Sequence, residues 1–242
     1  MIRRSFIRWA GALCLLAAAQ GAAAGSFSVA PTRVELGGAV RTATVTLRNA
    51  DAEPLTVQVG LVGWTQANGE DVYANTRDLL ATPTVLTIPG GEERVVRIAL
   101  RRDADPDKDL PYRVFFEEVP QAAPKDFKGV NIALRVGVPI FVKSFARTRA
   151  DLRWELHPLA DGKWRVDAIN SGTAHVQVTD FELSYDNAAT PLRAKLARYV
   201  LPGSRMSWTL DAPAGAGAIS AVKIHAFSDR GELRADAAIV KP

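Results

Sequence analysis

The chain has 242 residues, 48% of them hydrophobic, with 30 Lys and Arg against 26 Asp and Glu and one cysteine, Cys14. That length can fill one large core or two ordinary ones, and so small a charge excess argues against a nucleic-acid partner or an anionic membrane. A lone cysteine excludes an internal disulfide, so stability must come from packed cores.

In chain order, residues 1–24 read as a secretory signal. Met1-Ile2-Arg3-Arg4 is a basic start, 7–19 an apolar stretch, and Ala22-Ala23-Ala24 a small-residue cleavage site. Arg8 and Gly11 interrupt the run, which is shorter than the roughly 20 residues a membrane span needs. The expectation is export to the periplasm with no membrane insertion after the signal is removed. Loss of Arg3, Arg4 and Arg8 would leave 27 basic residues against 26 acidic. Leu13 precedes Cys14 where a lipoprotein signal wants a small residue, which argues against lipidation.

From 25 to 143 the chain is a succession of β-branched runs, at 42–47, 55–62, 94–100 and 112–119. Turn residues separate them at Asn49-Ala50-Asp51, Asn68-Gly69-Glu70, Pro89-Gly90-Gly91 and 103–109. Leu79-Leu80 is assigned to a short irregular connection. The last run, 131–142, has an aliphatic residue at every even position: Ile132, Leu134, Val136, Val138, Ile140 and Val142. Its other face carries Arg135 and Pro139, and proline belongs at sheet edges. An apolar strand at an edge invites pairing with another chain, unless the edge is covered internally.

The pattern breaks at Lys143, and 144–149 is assigned as a hinge. Strand runs resume over 150–242, at 152–156, 164–169, 175–185, 205–210, 221–228 and 232–240, with a loop at 212–218. The expected fold class is all-β, as two sandwiches.

The chemical inventory is thin. His157, His175 and His225 have no second histidine or cysteine at metal-ligand spacing, so no metal is expected. There is no Gly-x-Ser-x-Gly elbow and no phosphate loop. On a strand Glu117 and Glu118 point to opposite faces, and Glu92-Glu93 reads as a solvated pair beside a turn. Trp64, Trp154, Trp164 and Trp208 sit in or beside strand runs and are read as core or interdomain packing rather than a sugar platform. The expectation is a non-enzymatic binding protein without a cofactor.

The residues of the first domain resemble the periplasmic PapD-like pilus chaperones of the chaperone–usher pathway. The resemblance runs through Pro31-Thr32-Arg33-Val34, the strand 44–49, Trp64-Thr65-Gln66, 79–83, Ile88-Pro89-Gly90 leading to Val95-Val96-Arg97-Ile98, 112–120 and 130–142. Trp64, Asn68-Gly69-Glu70-Asp71 and Leu110-Pro111-Tyr112-Arg113 are most similar to the archaic branch associated with spore-coat-protein-U-like pilins. The resemblance implies two immunoglobulin-like β-sandwich domains joined at an angle by a short hinge. It also implies donor-strand complementation, in which Val130, Ile132, Leu134 and Val136 enter the core of a pilin subunit that is then delivered to an outer-membrane usher. Val138, Ile140 and Val142, nearer the hinge, are expected in the chain's own core.

Arg33 matches the family's arginine anchor for the pilin C-terminal carboxylate. Pro139 stands where the better-known branch has its second anchor, a lysine; this departure either moves that role to Arg113, preferred here, or Lys143, or removes it. Self-association of the free protein stays open. An exported adhesin or glycan-binding sandwich, working through exposed aromatics, is the alternative; a secreted hydrolase is disfavoured.

Overall fold

A computed structural model describes residues 27–120, 132–186, 190–195, 197–213 and 219–240, and every regular element among them is a β-strand. The first ten are β1 (Phe27–Ala30), β2 (Val34–Leu36), β3 (Thr42–Asn49), β4 (Leu55–Ala67), β5 (Glu70–Asn75), β6 (Leu79–Thr82), β7 (Val85–Ile88), β8 (Glu93–Leu100), β9 (Leu110–Glu118) and β10 (Arg135–Val142). After the connection at 143–151 come β11 (Leu152–Pro158), β12 (Lys163–Asn170), β13 (Val176–Tyr185), β14 (Leu192–Ala194), β15 (Arg198–Val200), β16 (Arg205–Asp211), β17 (Val222–Ser228) and β18 (Gly231–Ile239). No helix among the described residues is long and apolar enough to cross a membrane.

Two-residue periodicity explains these strands. In β8, Val96, Ile98 and Leu100 are buried while the residues before and between them face outward. One sheet runs β1-β3-β8-β6 and a second β2-β10-β9-β4-β5, with β7 also on β4. Their inner faces share one apolar core that includes Val45, Leu47, Val57, Ile98, Phe116 and Ile140. Strands β11 to β18 form the order β14-β13-β17-β18-β11-β12-β16, with β15 on β13, around a second core. There Phe181 packs between Trp154 and Trp208, its ring centroid 5.4 and 5.3 Å from theirs.

Two local expectations need correction. Leu79-Leu80 is not an irregular connection but opens β6, which pairs with the edge of β8. Leu79 and Ala81 face inward and Leu80 outward, a pattern too short in four residues to stand out as a period. The apolar alternation predicted a strand through 131–142, yet strand pairing starts at Arg135. Before it, Leu134 O still accepts from the Glu118 backbone N–H at 2.9 Å, but Leu134 N–H donates to the Glu118 side chain at 3.1 Å instead of to the Glu118 carbonyl. The Asn68-Gly69 turn does form, with φ of 53° and 80°, and joins β4 to β5 as a hairpin. The signal at 1–24, Val130 and most of the 212–218 loop lie outside the described residues.

Candidate functional site: a basic cleft at an open strand edge

Strand β10 is the element around which the site is built. Along its whole length it pairs antiparallel with β9, but on its other side β2 joins it, in parallel, only at Ile140, Phe141 and Val142. Residues 135–139 therefore have one neighbouring strand and one free edge. The burial changes two residues earlier: Val138, Ile140 and Val142 are buried, Val136 and Leu134 pack partly against the first-domain core, and Ile132 is 61% exposed.

Where β2 begins, Arg33 precedes Val34, which is opposite Ile140; on the other side Arg113 of β9 is opposite Pro139. The two guanidinium groups thus flank β10 at the point where its free edge begins. They line one cleft of about 520 Å³ between the domains, with Thr32, Gly137, Pro139, Gln177, Tyr199 and Asp229.

Arg33 Nη1 donates to Asp229 at 2.7 Å, and its Nε lies 3.5 Å from Glu35. Burial is the largest single influence and works against its charge, but the Asp229 hydrogen bond together with the charges of Tyr199, Asp229 and Glu35 outweighs it and shifts its pKa upward. Burial likewise raises the Tyr199 hydroxyl, with Arg33 opposing.

Arg113 is held by aromatic rings. Its guanidinium carbon sits 4.1 Å from the Trp64 ring centroid and 5.4 Å from that of Tyr73, and its Nη1 donates to the Tyr73 hydroxyl at 2.7 Å. Its Nε is buried without an acceptor, and no carboxylate is within ion-pairing distance among the described residues. Gly137 makes room for this arrangement: a Cβ there would lie 2.9 Å from the Phe115 ring and 3.2 Å from Arg113 Cδ. Arg135, two residues earlier on the same face, stacks 3.9 Å over Phe115 and pairs with Glu117 at 2.6 Å.

Lys143, the other expected anchor, is placed elsewhere. Its ammonium is 3.3 Å from the buried Asp109 carboxylate, in the contact that joins the domains. Asp109 also bonds His175 Nδ1 at 2.9 Å, and the His175 ring stacks on Phe141 with centroids 3.4 Å apart. Burial alone would raise the Asp109 pKa, but the His175 hydrogen bond and the Lys143 charge hold it below the ordinary range. Burial lowers His175, which the Asp109 contact offsets only in part. Trp64, Phe141 and Leu201 form a small buried cluster at this junction, with Tyr199 against it. Gln66 clamps the second domain, donating to Tyr199 O at 2.8 Å and accepting from Leu201 N–H at 3.0 Å.

All four tryptophans singled out from the sequence are at most 3% exposed, as expected of packing residues. Glu155, His157 and Asp167, distant by sequence spacing from any metal pattern, come together with ligand atoms within 4.8 Å of one another. Arg205 lies 3.3 Å from both carboxylates and Arg165 3.3 Å from Asp167, so the negative charge a cation would need is already balanced.

Sequence reasoning missed Asp229, Tyr199, Tyr73 and Gln177. None carries a motif; each gains its place through a contact across strands or domains.

Fold and cleft together define a two-sandwich protein with a basic interdomain groove beside an unpaired strand edge. Residues 26–144 match the family model described as pili and flagellar-assembly chaperone, PapD N-terminal domain, and this part of the chain belongs to the PapD-like chaperones. No curated protein matches the sequence. Among solved structures, the chain is similar to one in the CsuC–CsuE chaperone–tip adhesion subunit pre-assembly complex from archaic chaperone-usher Csu pili of Acinetobacter baumannii. The identity is 18% over 89% of this chain and 99% of that one, with a TM-score of 0.69. It is also similar to the E. coli chaperone DraB, at 17% identity over 88% and 98% of the two chains and a TM-score of 0.57. A chain of the Salmonella enterica SafA pilin in complex with the SafB chaperone gives 18%, 87%, 96% and 0.58.

Proposed function

We propose that the protein is a periplasmic assembly chaperone that caps pilin subunits by donor-strand complementation and passes them to an outer-membrane usher, in the archaic branch. The observation that carries this reading is the free edge of β10 at 135–139 ending between Arg33 and Arg113. A strand added there gains main-chain hydrogen bonds from the edge and side-chain contacts from alternate positions. Ile132, Leu134 and Val136, with Val130 ahead of them, are the side chains offered to the subunit. Each is worth about 1.5 to 3 kcal/mol if fully buried, before ordering costs.

Charge fixes the direction of the added strand. Running parallel to β10, as β2 does, it brings its C-terminal carboxylate to the two guanidinium groups. Running antiparallel, it would bring its amino end to the same positive charge. Arg33 and Arg113 are therefore the anchors, and Lys143 serves the interdomain contact with Asp109. Nothing in this mechanism requires a cofactor or a bond-making step.

Against the adhesin reading stands the burial of Trp64, Trp154, Trp164 and Trp208, which leaves none of them as a sugar platform. The test is co-production of the chaperone with a pilin subunit in a bacterial periplasm. Arg33→Ala should abolish recovery of soluble subunit while the chaperone stays folded; an unchanged yield would remove Arg33 from the anchor.

A further inference from the structure

Arg33 is already engaged. Asp229 belongs to the turn between β17 and β18, in the second domain, 196 residues away in sequence. One of its oxygens accepts from Arg33 Nη1 at 2.7 Å and the other from the Gln177 backbone N–H at 2.9 Å. Its own N–H donates to Gln177 O at 3.0 Å, and the Ser228 hydroxyl donates to Gly231 O at 2.7 Å, so the turn is held at both ends. The second domain thus presents to Arg33 the same chemical group that a pilin terminus would present.

Of the residues lining the cleft, two are guanidinium groups and one is a carboxylate. Arg33 is neutralised, whereas Arg113 has only ring faces and a phenol oxygen around it. A second carboxylate entering between the arginines finds attraction from Arg113, a share of Arg33, and repulsion from Asp229. Arg33 has only so many N–H groups facing the cleft, so the two carboxylates compete for them.

We propose that Asp229 is an internal competitor for Arg33, a stand-in carboxylate that an incoming C-terminal carboxylate loosens or displaces. It sets how strongly the cleft prefers a free carboxylate terminus to a neutral one. Because the Arg33–Asp229 pair also ties one domain to the other, its opening removes one interdomain contact as the subunit binds. This inference rests on the carboxylate-anchor reading above.

The test is calorimetric titration of the full chain with an acetylated nonapeptide of alternating valine and threonine, ending in a free carboxylate, and with its C-terminal amide. Asp229→Asn should bind the acid roughly two- to fivefold tighter, the range open to a part-exposed ion pair. The amide's affinity should not change, and the gain should vanish in the Arg33→Ala background. If Arg33→Ala loses the preference for acid over amide while Asp229→Asn binds the acid no better or worse, Asp229 supports Arg33 and the competition is overturned. If Arg33→Ala and Arg113→Ala both keep the wild-type preference, the carboxylate-anchor reading itself fails and the competitor with it. Asp229→Ser provides a second variant, with melting curves as the folding control. On the unmodified protein, the carboxyl carbon resonance of Asp229 should move with the acid and not with the amide; an unmoved signal contradicts displacement.

Discussion

Arg33 and Arg113 have the same charge and the same cleft but are held by different forces, and this predicts different responses to substitution. Arg33 is fixed by a carboxylate from the other domain, Arg113 by the faces of Trp64 and Tyr73. Charged hydrogen bonds of the kind either would make to a pilin carboxylate contribute about 1.5 to 3 kcal/mol. Loss of either side chain should therefore weaken subunit binding about tenfold or more. Arg113→Lys keeps the charge but loses the planar group that stacks and forks, so it should behave like Arg113→Ala. Binding of purified subunit to the three variants checks this, and full activity of Arg113→Lys would mean that point charge alone suffices. Arg33 was legible because Pro31-Thr32-Arg33-Val34 resembles a family pattern. Asp229 was not, because Ser228-Asp229-Arg230-Gly231 looks like any solvent turn until the fold brings it to Arg33.

At the scale of the element, β10 is one strand in two environments, covered toward its C-terminal end and open along the edge before it. The alternation from Ile132 to Val142 announced a strand, and the same alternation hid where its environment changes, since the period is uniform throughout. The division is set by β2, which joins only from Ile140 onward. Leu134→Asp should therefore prevent complex formation yet leave the melting temperature of the free protein within a few degrees, because Leu134 is only partly buried. Ile140→Asp, placing a charge at a side chain with no exposed surface, should prevent folding altogether. A Leu134→Asp variant that still forms complex would move the donor role to another strand. Edge strand β6 shows the limit of the periodic signal, for two inward residues in four do not distinguish a strand from a connection.

For the whole molecule, the geometry of the cleft depends on the domain junction, where Phe141 connects Trp64, Tyr199 and His175. Phe141→Ala should cost about 3 to 5 kcal/mol of stability, the usual range for a buried aromatic. The junction also carries a pH dependence. His175 titrates below its ordinary value in the folded protein, so from about pH 6.5 down through that lower folded value the unfolded chain holds a proton that the folded chain lacks. Stability should therefore fall with pH across this window. Denaturant midpoints at about pH 7.5 and about pH 5.5 should show the loss, and His175→Gln should flatten it. Asp109, held below the ordinary carboxyl range, should add a second loss at more acidic pH as it is protonated. Two sandwiches were readable from the strand runs and turn residues, but not this junction. Its partners Asp109, Lys143 and His175 come from three separate stretches of chain and have unremarkable neighbours.

The most direct test of the central claim is hydrogen–deuterium exchange on the chaperone, free and in complex with a pilin subunit co-purified from the host's periplasm. Donor-strand complementation predicts new protection of backbone amides along 132–138, the unpaired edge of β10 and the residues leading into it, with little change in β8 or in the second domain's β12. A complex of the same stoichiometry whose protection lies on another surface, with 132–138 exchanging as in the free protein, would contradict it.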